Sequence, residues 1–230
     1  MLTGRDHQRT IRMSNRRTTD PSIEPVTAEQ LDAHLRGDGV LASEEGEFLN
    51  SLIESAREYI EEFTSRALIT QTYTLVMDTW PTVKGGDLGW WDGVRQGSIT
   101  MDQQSYVELP IAPLQSVTSV TTFDDDNSSS VFSSSNYFLD TITQPGQLIL
   151  NTGTVWPIFT RTRRGIEIVY TAGYGTAATD VPGALKQAIL QLATHWYENR
   201  EFTKTQSDQN QAVAPLHVQS ILNRWKVRKL

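Results

Sequence analysis

Two stretches of the chain repeat one apolar spacing. Leu52, Ile53, Ala56 and Ile60 lie three, four, seven and eleven residues after Leu49, and Ala188, Ile189, Leu192 and Trp196 keep the same intervals after Leu185. This spacing puts each set on one face of an α-helix. An apolar helical face has to be covered. The economical arrangement packs the two helices together as a small helical core and leaves the residues between them as an insertion.

The insertion follows a different pattern. Residues 72–77, 106–109, 117–123, 131–139, 147–150 and 166–170 are rich in β-branched and aromatic side chains, which predicts six strands. Asp124-Asp125-Asp126-Asn127 predicts a hairpin tip and Gln144-Pro145-Gly146 a tight turn. Residues 83–101, with Gly85-Gly86, Trp90-Trp91 and Asp92-Gly93, form a long glycine-rich loop. Trp90, Trp91 and Arg95 make it either a contact hot spot or a plug folded back on the strands.

Capping chemistry predicts the helix ends. Thr27 and Gln30 form a capping box ahead of Leu31, Ala33 and Leu35, and this short helix stops at Gly37-Asp38-Gly39. Ser43 is the expected cap of the next helix, which runs to about Ser65 with Glu44, Glu45 and Glu47 near the positive end of its dipole. Asp180 and Pro182 open the third long helix, ending near Glu201. After a polar stretch and Pro215, the positions of Val218, Ile221, Leu222 and Trp225 predict a last amphipathic helix. Arg224, Lys226, Arg228 and Lys229 fall off that face or just beyond it, as expected of a helix that docks on a partner.

The resulting expectation is an α+β protein. It consists of a basic flexible arm (residues 1–25), a first helical part (26–68), an inserted antiparallel β region (69–176), a closing helix (177–203), a polar linker (204–214) and a docking helix with a basic tail (215–230).

Composition narrows the function. The 230-residue chain is 38% hydrophobic, ordinary for a folded protein, and contains no cysteine. Its formal charge of −7 disfavours a general nucleic-acid binder, although both ends are basic. No apolar run reaches the length of a membrane span, and the first residues lack a secretory core, so synthesis in the cytoplasm is expected.

Chemical motifs are weak. Gly173-Tyr174-Gly175-Thr176-Ala177-Ala178 has dinucleotide-motif spacing, but Asp180-Val181-Pro182 delays the helix whose amides would face a pyrophosphate. The run Asp124 to Asp126 places Ser129 and Ser135 where a calcium loop needs glycine and glutamate. Glu61 and Glu62, as helix neighbours, point apart. His7, His34, His195 and His217 lack metal-ligand spacing, and no serine has the glycine-flanked elbow of a hydrolase. No catalytic, cofactor or metal residue is expected.

Several stretches resemble the neck adaptor, or head–tail connector, family of tailed bacteriophages and related gene-transfer particles. They are Val26-Thr27-Ala28-Glu29-Gln30-Leu31, Ala56-Arg57-Glu58-Tyr59-Ile60-Glu61, Arg66-Ala67-Leu68-Ile69-Thr70-Gln71-Thr72, Tyr170-Thr171-Ala172-Gly173-Tyr174-Gly175, Leu185-Lys186-Gln187-Ala188-Ile189 and His195-Trp196-Tyr197-Glu198-Asn199-Arg200. The likeness spans roughly residues 26–201 and leaves the segment after Phe202 uncovered. It implies a non-enzymatic virion protein of the neck, made in the host cytoplasm. Copies would form a ring of about twelve beneath the portal. Such a ring would contact the portal and a stopper or tail-terminator protein and transiently touch the DNA crossing its channel, with Trp90, Trp91 and Arg95 on a candidate inter-subunit or tail-side loop. The alternative is a nucleic-acid-binding packaging or assembly factor that uses the basic ends.

Overall fold

A computed structural model of the protein describes residues 13–81, 90–91, 94–95, 104–199 and 214–227. The fold is α+β, with two hydrophobic cores that meet at the connector after the long helix.

The helical core is built from α1 (Ala28–Leu35), α3 (Gly46–Thr64), α4 (Gly183–Glu198) and α5 (Leu216–Trp225), with the short α2 (Val40–Glu44) leading into α3. Both repeated stripes point into it. Leu49, Ile53, Ala56, Ile60, Leu185, Ala188, Ile189 and Leu192 are buried, and Leu52 and Trp196 pack half-buried at its edge. Thr27 closes the predicted capping box, and Arg36 ends α1 in the left-handed region. Ser43 does not cap the long helix. It lies inside α2, where its hydroxyl donates to the Val40 carbonyl, and Glu45 precedes α3 without a side-chain cap.

The β region contains one sheet in the order β1 (Met13–Thr19), β2 (Gln71–Met77), β10 (Ile166–Ala172), β6 (Leu114–Phe123) and β7 (Ser129–Val131). A second sheet pairs β5 (Tyr106–Leu109), β9 (Gly146–Leu150) and β8 (Tyr137–Asp140), and a two-stranded ribbon joins β3 (Trp90–Trp91) to β4 (Val94–Arg95). All pairings within these sheets are antiparallel. β2 and β10 alternate buried and half-buried side chains, the period-two pattern that gives a strand one face toward the core. The inward residues are Tyr73, Leu75, Met77, Ile166, Ile168 and Tyr170.

Two further expectations are corrected. The first 25 residues are not one loose arm, because residues 13–19 form edge strand β1, which pairs with β2 from Met13↔Met77 to Thr19↔Thr72. The expected strand 131–139 is broken. Ser133 accepts from the Ser135 amide, a short 3-10 turn spans Ser134–Asn136, and β7 and β8 go to different sheets. Local serine hydrogen bonding competes there with the strand ladder.

The connector of residues 65–70 joins the two halves. Ala67 belongs to the β core, while Leu68 and Ile69 belong to the helical core. The turn after β10 lies against it: the Tyr174 amide donates to the Leu68 carbonyl, and the Thr70 amide donates to the Gly175 carbonyl. Gly173 sits at φ +143°, and a Cβ there would meet the Ile69 backbone at 2.7 Å. A glycine is required at this position.

Candidate assembly interface

α5 starts after Pro215, whose carbonyl accepts from the Gln219 amide, while the Gln219 side chain donates to the Ala214 carbonyl. The predicted stripe is real, but it is already covered by this chain. Val218 and Leu222 are fully buried in the helical core, and Ile221 and Trp225 pack half-buried against it. The apolar face therefore does not wait for a partner. What remains outside is mostly polar: Gln219 is half-buried, and His217, Ser220, Asn223, Arg224 and Lys226 are exposed, with Leu216 at the helix start the one exposed aliphatic side chain of α5. Arg228 and Lys229 lie outside the described residues.

Arg66 holds the end of α5. Its Nε donates to the Trp225 carbonyl at 2.6 Å, one terminal nitrogen donates to the Tyr174 hydroxyl at 3.1 Å, and the other to Gln144 Oε1 at 2.5 Å. The guanidinium also lies 5.6 Å from the Trp225 ring centroid, and Tyr174 meets that ring edge-on. One buried cation thus ties α3, the glycine turn, the β8–β9 turn and α5 together. Burial pushes the Tyr174 hydroxyl pKa up, against the opposing pull of Arg66. Beyond Trp225, Lys226 Nζ stands 5.0 Å over the Phe63 ring, and the Val227 amide donates to the Thr64 carbonyl.

A second arginine anchors the segment between β1 and α1. Arg57 is 1% exposed; its Nε donates to Glu24 and its Nη1 to Glu61 at 2.9 Å. Glu61 also accepts from the Leu68 amide and the Gln71 side chain. Burial pushes the Glu61 carboxyl pKa up despite these donors, and does the same to Glu24. Arg17 of β1 reaches the same group through Glu58 at 2.6 Å and Glu61 at 3.8 Å. Sequence reading missed this network. Its one visible trace is the four-residue spacing of Arg57 and Glu61 on a helix.

Trp90, Trp91 and Arg95 fall on the β3–β4 ribbon, with Trp90 opposite Arg95 and Trp91 opposite Val94. The tryptophan pair that organises the described β region is a different one. Trp80 and Trp156 stack at 4.2 Å, with their ring nitrogens donating to the Pro157 and Gln104 carbonyls respectively. Among the described residues no three His, Cys, Asp or Glu side chains converge to hold a metal ion, and no helix is long and apolar enough to cross a membrane.

Comparison with known proteins follows the same lines. Residues 159–226, which span β10, the glycine turn, α4 and α5, match the family model described as phage gp6-like head-tail connector protein. The match extends past Phe202 and takes in the last helix, which the sequence resemblance had left uncovered. No curated protein sequence matches the chain.

Solved structures match nearly all of it. A chain from the virion of a native gene transfer agent particle is 24% identical with a TM-score of 0.69, over 94% of this chain and 96% of that one. A chain from the neck of an empty gene transfer agent particle computed with C6 symmetry is 21% identical, TM-score 0.68, over 94% and 97%. Another, from the neck of the native particle computed with C12 symmetry, is 22% identical, TM-score 0.64, over 94% and 97%. At these identities the likeness establishes the fold.

Proposed function

We propose that the protein is a structural neck adaptor. Copies assemble as a ring under the portal and connect the DNA-filled head to the stopper or tail around the DNA channel. The observation that carries this reading is the connector-domain match over residues 159–226, set within a fold shared over 94% of the chain with chains from gene transfer agent necks. The cyclic symmetry in the descriptions of those particles fits a closed ring of identical subunits. No catalytic step is needed for such a role.

Portal docking uses the outward side of α5 and the residues after it: Arg224, Lys226, Arg228 and Lys229 facing acidic portal side chains. Val218, Ile221, Leu222 and Trp225 support that surface from beneath. Removal of residues 215–230 would open the helical core, so charge reversal of Arg224 and Lys226 is the cleaner probe. The net charge of the chain, −7, favours free passage of DNA through the ring over binding.

Particle production without this gene tests the function. DNA-filled heads and separate tails that rejoin when purified protein is added are expected under the electron microscope. Complete tailed particles in its absence, or empty heads only, would contradict a connecting role.

A further inference from the structure

We propose that the β9–β10 loop, residues 151–165, is a subunit contact that seats on the α2–α3 corner of a second copy of this chain. The inference rests on the ring reading above. The loop lacks regular structure, yet it is pinned at every stage. Trp156 is buried in its stack on Trp80, Thr160 donates from its amide and hydroxyl to Asp124 Oδ1, and the Arg164 amide donates to Asp78 Oδ1 at 2.9 Å. Long pinned loops of this kind are commonly functional.

What the loop displays is unusual for a solvated turn. Val155 is 77% and Ile158 94% exposed, on either side of the buried Trp156. Arg163 and Arg164 are exposed a few residues on, and Arg161 lies across the Phe123 ring. Apolar side chains held out by a rigid scaffold beside arginines lose little entropy on binding, which suits them to anchor an interface.

The α2–α3 corner carries the complement. Val40 and Phe48 are 50% and 39% exposed beside the exposed carboxylates of Glu44 and Glu47, around a concave surface lined by residues 42–48. The corner is itself fixed, because Phe48 contacts the Tyr197 ring and the Tyr197 hydroxyl donates to Glu45. Two aliphatic side chains and two arginines thus face one aliphatic, one aromatic and two glutamates.

Each patch lies at the end of its layer away from the junction. The loop enters the sheet at Ile166↔Met77, the end opposite Ala172↔Gln71, and the corner is at the Gly46 end of α3, opposite Thr64. Two different patches on one chain make a head-to-tail contact, the type that builds a ring when the rotation from copy to copy closes. Copies that each carry −7 repel unless such a local match brings them together.

Charge exchange in the full-length chain tests this. One variant carries Arg163→Glu with Arg164→Glu, the other Glu44→Arg with Glu47→Arg, and thermal melting checks that each is folded. By light scattering, each alone is expected to need at least tenfold more protein than the unaltered chain to assemble. An equimolar mixture recovers assembly, because every loop then meets a corner of opposite charge. Ile158→Asp alone is expected to weaken assembly in the same way. Variants that assemble like the unaltered chain, or a mixture that fails to recover, would overturn the contact while leaving the ring reading intact. Loss of duplex DNA binding with assembly unchanged would assign the loop to nucleic acid and overturn it too. An unaltered chain that stays monomeric with and without portal would remove both.

Discussion

β1 at the start of the chain and α5 at its end are both polar-looking terminal segments, yet they are held by different physics. β1 leaves six of its seven side chains exposed and stays in place through backbone pairing with β2, the Arg17 ion pairs and the Asn15 contact with the Tyr170 hydroxyl. α5 places Val218 and Leu222 in the helical core and hangs its last carbonyl on the buried Arg66. Edge pairing with surface charge adds little stability, whereas apolar burial adds much. The first segment therefore adds little to the stability of the whole, and the second belongs to the cooperative core.

The sharpest way to break this contrast is Leu222→Ala. Loss of a fully buried leucine is expected to cost about 2–5 kcal/mol, measured by denaturant unfolding of the whole chain. A cost below about 1 kcal/mol would mean that α5 is not part of the cooperative core. Arg66→Ala comes next, at about 1–3 kcal/mol, because the Trp225 carbonyl and the Tyr174 hydroxyl lose a buried partner. Lysine at position 66 is expected to rescue little of it, since three divergent donors cannot be replaced by one ammonium.

Alkaline pH probes the sheet beneath β1. Burial pushes the hydroxyls of both Tyr73 and Tyr170 well above their ordinary value of 10.0, with Glu61 adding to the shift of Tyr73. Above that value the unfolded chain releases these protons while the folded chain keeps them. Stability therefore falls as pH rises past 10, by about 1.4 kcal/mol per pH unit for each tyrosine. Melting temperatures at pH 9, 10 and 11 check the slope, and Tyr170→Phe is expected to flatten it. The smallest effect belongs to Arg17→Ala, at about 0–1 kcal/mol for a partly exposed pair. Hydrogen exchange of the β1 amides, faster than that of β2, reports the same difference.

How much of this was legible in sequence depends on how local the cause is. The stripes from Leu49 and Leu185 appear because helix period and burial act on the same residues, and Thr27 with Gln30 is a self-contained capping signal. The stripe of Val218 and Leu222 was equally visible, but a stripe states only that it will be covered, not by which chain. β1 has no alternating pattern, since its strand state comes from the edge of β2. The meeting of Trp80 with Trp156, and of Arg66 with Trp225, Tyr174 and Gln144, joins residues far apart in the chain that carry no shared pattern. The two patches proposed to meet between copies show in sequence only as an arginine-rich turn and an acidic helix start.

The measurement that tests the account most directly is the mass of the purified chain by light scattering, alone and with the portal protein of the same genome, with imaging of any large species. A closed ring whose mass is a multiple of 25.8 kDa, or a collar of that kind on the portal, is the predicted result. A particle of 25.8 kDa at every concentration that ignores the portal would contradict it.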